Sequence, residues 1–138
     1  MIELDGKRYH IRVDEYDGGN TAVSLVDAEG EYAGTVYGRL SINVISLAAG
    51  CFVLNHDLTR LRDALVATGC FDDTGMTVDY NRVRGQPVLA LTRAGYVEAV
   101  RSAMARQPYA AITDDGLAVM DIATLRLFLA DFRRIRGE

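Results

Sequence analysis

Lysine is nearly missing: of 15 basic residues only Lys7 is one, and the other 14 are arginine. Histidine occurs twice (His10, His56), cysteine twice (Cys51, Cys70), proline twice and tryptophan not at all. Two histidines exclude a three-histidine zinc site, and no HExxH pair is present. The single lysine follows no glycine-rich loop, and no GxSxG elbow, Walker A loop or GxGxxG fingerprint occurs, which excludes the familiar phosphate-cradling and serine-hydrolase designs. Cys51 and Cys70 lack CxxC spacing; in a reducing compartment such a pair is expected as two buried thiols with no disulfide. No apolar run approaches the ~20 residues of a spanning helix; the longest weakly polar stretch, 42–54, carries Asn43 and Ser46. With no signal-like opening segment, a cytoplasmic location and no membrane contact are expected.

What is present fits a folded domain. The chain has 138 residues, 49% hydrophobic and 25% charged, with 13 glycines, and that length supports one core without a metal or disulfide staple. Charge is uneven: residues 1–80 carry net −7 and residues 81–138 net +3, within the overall −4. A sequence pI near 5.1 without a basic stripe argues against nucleic acid as the partner. The arginine-rich end leaves room for an acidic protein contact.

Hydrophobic periodicity divides the chain into a sheet-rich part (1–91) and a helix-rich part (92–138) of one domain. Tyr9, Ile11 and Val13 alternate against Arg8, His10 and Arg12, which predicts a strand with one wet face, joined to residues 2–4 through the turn pair Asp5-Gly6. Further strands are predicted at 22–26, 32–37, 40–45 and 51–55, with a polar turn at 14–20. Asp57 is placed to cap a helix over 58–68, where Leu58, Leu61 and Leu65 share a face and Gly69 stands at C′. Residues 71–75 read as a turn, followed by strands at 76–80 and 88–91. Pro87 belongs at a strand start or on an edge, because it cannot donate to a ladder. From Thr92 the period becomes 3.6: Tyr96, Val97, Val100 and Met104 form a stripe that ends before Pro108. A short hairpin is predicted over 109–120, and Asp121 caps a last helix with Ile122, Leu125, Leu129 and Phe132 on one face. The expected class is α+β: a mainly antiparallel sheet, meander-like in its first half, with two or three helices packed on one face.

Few residues offer chemistry. Asn55-His56-Asp57, at a strand-to-helix junction, is the densest polar cluster and the place where an unfamiliar small enzyme would work. The plainer reading gives Asp57 the cap and Asn55 a local backbone bond. Cys51 and His56 stand five positions apart, so on one strand they face opposite ways and do not pair. The Asp- and Gly-rich segments 14–20, 72–75 and 114–116 lack calcium-loop spacing and suit turns, so no metal and no cofactor are expected. Tyr32, Tyr37, Tyr80, Tyr96 and Tyr109 lie beside turns or at half-exposed positions, where tyrosine serves binding surfaces. The candidate partner-binding residues are Tyr37 together with Arg133, Arg134 and Arg136.

One stretch, 30–91, less than half of the chain, resembles a family of small bacterial proteins of unknown function found on plasmids and integrative conjugative elements. The resemblance is carried by Glu31-Tyr32 after a glycine turn, Leu-Ser-Ile-Asn-Val at 40–44 and Cys-Phe-Val-Leu-Asn at 51–55. A short helix, Thr74-Gly75 and Gln86-Pro87-Val88-Leu89 follow in the same order. His56-Asp57 departs from the family's second asparagine, and the helical part after Thr92 is longer. The resemblance implies a mobile-element accessory protein and brings no catalytic residues with it. Together these readings lead to the expectation of a non-enzymatic protein that binds a host or element macromolecule stoichiometrically, an inhibitor of host defence (anti-CRISPR or anti-restriction) being one form.

Overall fold

The computed structural model describes residues 1–105 and 111–135, with side-chain environments through residue 132. β1 (Ile2–Leu4), β2 (Lys7–Glu15), β3 (Thr21–Asp27) and β4 (Val36–Arg39) form one antiparallel sheet in sequence order. β5 (Ser41–Ile42), β6 (Cys51–Leu54), β7 (Phe71–Tyr80) and β8 (Val83–Leu91) form a second, in the order β5-β6-β8-β7. A 3₁₀ segment, His56–Leu61, runs into α1 (Arg62–Ala67); α2 (Arg93–Met104), α3 (Asp114–Ala118) and α4 (Ile122–Ile135) follow β8. The fold is α+β, as the periodicity implies. Among the described residues no helix is long and apolar enough to cross a membrane.

The β1–β2 turn takes the mirror-image form that hairpins favour, with Asp5 and Gly6 at φ 52° and 78°. Tyr9, Ile11 and Val13 of β2 and Val23 and Leu25 of β3 are buried in one core that also takes in Phe52, Leu54, Leu89 and Leu91. The helices complete it: α2 is buried nearly all round through Tyr96, Val97, Ala99, Val100 and Ala103, and α4 contributes Leu125 and Leu129. α2 is capped by Thr92, whose hydroxyl accepts from the Gly95 amide at 3.1 Å. Asp121 likewise accepts from the Thr124 amide at 2.8 Å, at the start of α4. Its carboxyl is held below the usual range by those Thr124 hydrogen bonds.

Six elements differ from the sequence expectation, each for a local reason. Residues 32–35 are turn, not strand, because the backbone closes on itself (Gly34 N to Asp27 O 2.8 Å, Thr35 N to Tyr32 O 2.9 Å); only Val36–Arg39 pair with β3. The strand expected at 40–45 shrinks to Ser41–Ile42, since the Asn20 side chain binds Asn43 Oδ1 (2.7 Å), Ile45 O (2.8 Å) and the Leu47 amide (3.1 Å) and pulls the segment into a loop. The helix at 58–68 begins as 3₁₀, with Asn55 and not Asp57 as its cap. The turn expected at 71–75 is strand: a bulge at residues 74–76 keeps β7 on β8, with the Thr74 hydroxyl donating to Val88 O at 2.7 Å. Asn81 and Arg82 alone connect β7 to β8, so 83–87 is strand as well. Where a hairpin was expected over 109–120, Thr113 caps the short α3 through the Gly116 amide (3.1 Å). Pro108 and Tyr109 lie outside the described residues.

Pro87 therefore sits inside β8, between β6 and β7, and not at an edge or strand start. The register Phe52↔Leu89, Val53↔Val88 would next place Pro87 opposite Leu54, but the ladder stops at Val88. Gln86, itself buried, supplies the donor that proline lacks: its Nε2 reaches Leu54 O at 2.6 Å. A side chain thus repairs the gap in the ladder.

Two predictions follow from this packing. Gly95 lies in the first turn of α2, where a Cβ would overlap the Cys70 carbonyl oxygen. Gly95→Ala gains helix propensity but is expected to destabilise by roughly 1–3 kcal/mol through overpacking, read as a lower denaturant midpoint. Of the cysteines only Cys70 is buried, whereas Cys51 is half-buried, contrary to the expectation for both. Burial raises the Cys70 thiol above its ordinary value, against a smaller lowering by Thr68. The stability this neutral thiol contributes is complete below the ordinary thiol value and is lost as pH rises through the raised one. Thiol labelling of the folded chain should modify Cys51 first and Cys70 only as the protein opens; equal rates would contradict the burial.

Candidate functional site

Asn55, His56 and Asp57 follow β6 directly, and the structure shows what holds each. The Asn55 amide nitrogen of the backbone donates to Leu40 O (2.7 Å) and its side-chain Nδ2 to Arg39 O (3.1 Å). Its Oδ1 accepts from the Asp57 amide at 3.1 Å. Thr59 steadies the next turn: its hydroxyl donates to His56 O at 3.0 Å and accepts from Gln86 Nε2 at 2.7 Å. Gln86, already committed to Leu54 O, thus also positions the backbone that carries His56.

The His56 ring is engaged on both nitrogens. Nδ1 lies 3.1 Å from the Tyr80 hydroxyl at the end of β7, and Nε2 lies 3.2 Å from Asp57 Oδ1. With a proton on Nε2 directed at Asp57, Nδ1 accepts from Tyr80. Tyr80 is the member that sequence reasoning did not connect, since only the β7–β8 pairing brings residue 80 to residue 56. Burial raises its hydroxyl above the ordinary tyrosine range, and the Asp57 charge adds to that. A nucleophile or base needs the opposite shift. The His56 and Asp57 side chains are 50% and 76% exposed, so water screens their charge. The carboxylate that meets His56 is its own neighbour and not one brought from elsewhere in the fold.

The other candidate surface surrounds Tyr37. The β3–β4 register slips between Leu25 and Val26, so that Leu25 faces Gly38, Val26 faces Val36, and Tyr37 is the extra residue of a bulge. Bulges re-aim side chains. The Tyr37 ring rests 5.0 Å from that of Tyr9, tilted by 45°. Tyr9 is buried; its hydroxyl is raised first by that burial and then by Tyr37, while the Arg60 charge lowers it. Every residue from 29 to 37 is exposed, and three are large: Tyr32 (65%), Val36 (48%) and Tyr37 (44%).

The remaining sequence candidates separate. Arg133 and Arg134 lie on the last turn of α4, with side chains outside the described set, and Arg136 lies outside the described residues altogether. Tyr96 is fully buried in the first turn of α2, not half-exposed. In the Asp-rich segments the groups build turns: Asp73 Oδ1 accepts from the Gly75 amide at 3.0 Å, and the Tyr16 amide donates to Asn20 O at 2.8 Å. Among the described residues no group of three or more His, Cys, Asp or Glu stands where it could hold a metal ion.

Compared with known proteins, the chain matches no family model, no curated protein and no solved structure.

The cap assignment is directly testable. Asn55→Ala removes a cap and a tie to Arg39 and is expected to cost about 1–2 kcal/mol. Asp57→Ala removes only an exposed contact to His56 and should stay within about 0.5 kcal/mol. Denaturant midpoints decide; the reverse ranking would return the cap to Asp57.

Proposed function

We propose that this chain is a non-enzymatic binding protein that captures a protein partner stoichiometrically. The observation that carries this reading is the exposed segment 29–37, which presents Tyr32, Val36 and Tyr37 to solvent on a backbone tied down by its own hydrogen bonds. Tyrosine at such a surface offers large contact area for little entropy cost, and the Tyr9 ring behind Tyr37 supports it. The wider setting is also our proposal: a bacterial mobile element, with inhibition of a host-defence protein as the form of action. It rests on the resemblance of 30–91 to plasmid and conjugative-element proteins, whose Glu31-Tyr32 falls in this same segment. Arg133, Arg134 and Arg136 are proposed as a second, electrostatic contact for an acidic partner.

A second reading, a small enzyme working through Asn55, His56 and Asp57, draws on the two-sided engagement of the His56 ring. Exposure of the pair and the raised Tyr80 hydroxyl speak against it.

The test is one of dose and of site. Affinity capture with the intact chain, followed by titration of the isolated partner, should saturate near one equivalent. Tyr37→Ala should weaken capture by about 30-fold, a hot-spot loss of roughly 2 kcal/mol, at an unchanged melting temperature. His56→Ala should leave it intact. Turnover by substoichiometric protein, lost in His56→Ala without loss of folding, would overturn the binding reading in favour of the enzyme.

A further inference from the structure

Tyr9 lies behind Tyr37 and is only 4% exposed, yet its hydroxyl has no hydrogen-bond partner among the described residues. A buried phenol normally finds one, and a buried polar group left without one is costly. The groups around it are acidic. Asp27 stands directly opposite Tyr9 in the β2–β3 register, so the two side chains share a face of the sheet. The Tyr9 hydroxyl is held above the ordinary tyrosine range by burial first and then by Tyr37, Asp27 and Asp5, and the Arg60 charge offsets only part of this. Among the described residues the carboxylates of Asp5 and Asp27 make no ion pair or hydrogen bond, and neither do those of Glu29 and Glu31, next along the exposed segment.

Residues 27–37 carry three acids and no base. Lys7, on β2 two residues before Tyr9, is exposed and forms no ion pair with any of them. An anionic side chain seated here would be repelled, and an apolar one would cover carboxylates and a phenol without giving them partners. A cation answers each group: its N–H donors meet carboxylates, the Tyr9 oxygen can accept, and a planar guanidinium lies well on the exposed face of the Tyr37 ring.

We propose that the partner segment seated on 27–37 presents an arginine side chain, its guanidinium against Tyr37 and its N–H groups directed at Asp27 and Asp5. This rests on the reading of that segment as the capture surface and names the chemistry it captures; the arginine contact at the end of α4 is separate. The test is an amide NMR titration of the full chain with the capped peptide acetyl-Gly-Arg-Gly-amide, following Ala28, Gly34 and Gly38, beside its glutamine and glutamate counterparts. Saturable shifts with the arginine peptide, absent with the other two at equal concentration, are the expected result. Asp27→Asn should weaken binding by about fivefold, as for a partly exposed ion pair. Tyr37→Leu keeps apolar bulk and should weaken it by about threefold through loss of the ring face. Both variants should keep the melting temperature, and Asp72→Asn, an exposed acid on β7, should bind as the parent does. No saturable shift with the arginine peptide, or equal shifts with the glutamine peptide, overturns the proposal while partner capture is still decided by the dose titration of Tyr37→Ala. Equal weakening by Asp72→Asn would mean a general attraction to an acidic chain, which overturns it as well. An arginine peptide that binds while Tyr37→Ala leaves partner capture intact would overturn the capture reading and this partner chemistry with it.

Discussion

Leu40 is the residue at which the two sheets become one structure. Its amide donates to Val23 O of β3 at 2.8 Å, and its carbonyl accepts from the Asn55 amide beyond β6 at 2.7 Å. A strand residue ordinarily serves one neighbour with both groups; here one residue faces each way, and the chain turns over between β4 and β5. The next residue reinforces the seam, because the buried Ser41 hydroxyl accepts from the Val23 amide at 3.0 Å and meets the Tyr16 hydroxyl at the same distance. Val23 is thereby satisfied on both its amide and its carbonyl. With Leu40 fully buried, losing this handover would leave backbone groups of both sheets without partners in the core.

The second constraint is the missing amide of Pro87. A proline between two paired strands leaves Leu54 O short of a donor, and Gln86 fills the place. Because an amide nitrogen has two protons, the same group also reaches Thr59, and Thr59 fixes the carbonyl of His56. A defect in the ladder thus becomes the anchor of the 3₁₀ segment. Burying a glutamine is costly unless both protons are used, and here both are.

Much of this was legible in the sequence, and the failures share a cause. Strand β2, the Asp5-Gly6 turn, the Thr92 and Asp121 caps and the stripes of α2 and α4 are set by near neighbours in the chain, so period and capping residues reveal them. Errors arose where a distant side chain decides. Asn20 bends residues 43–47, Gln86 substitutes for the amide of Pro87, and a bulge rather than a turn absorbs Thr74-Gly75. The candidate sites divide the same way. The exposure of Tyr37 could be anticipated from its strand-end position, but its stacking on Tyr9 depends on a register slip that no local pattern marks. Tyr80 beside His56, and Tyr96 inside the core with an unmatched hydroxyl, depend on which strands and helices meet.

These long-range contacts also link the two surfaces described above. The 3₁₀ segment that presents His56 at its start carries Leu58, whose Cδ1 would be 3.3 Å from a Cβ at Gly38 on β4, and Arg60, whose charge acts on Tyr9. Gly38 immediately follows Tyr37, so the segment packs against the strand from which Tyr37 projects. Its position is set at one end by Gln86 and Thr59 and at the other by this close approach to β4, which a side chain at 38 would crowd. The 3₁₀ segment is thus placed by Gln86 and Thr59 beside β4, while the turn before Tyr37 is held by its own backbone hydrogen bonds. The buried Thr21, Ser41 and Gln86 side chains all bond backbone groups, of Gly50, Val23 and Leu54 respectively, so the buried polar chemistry seen at these positions serves to hold the fold.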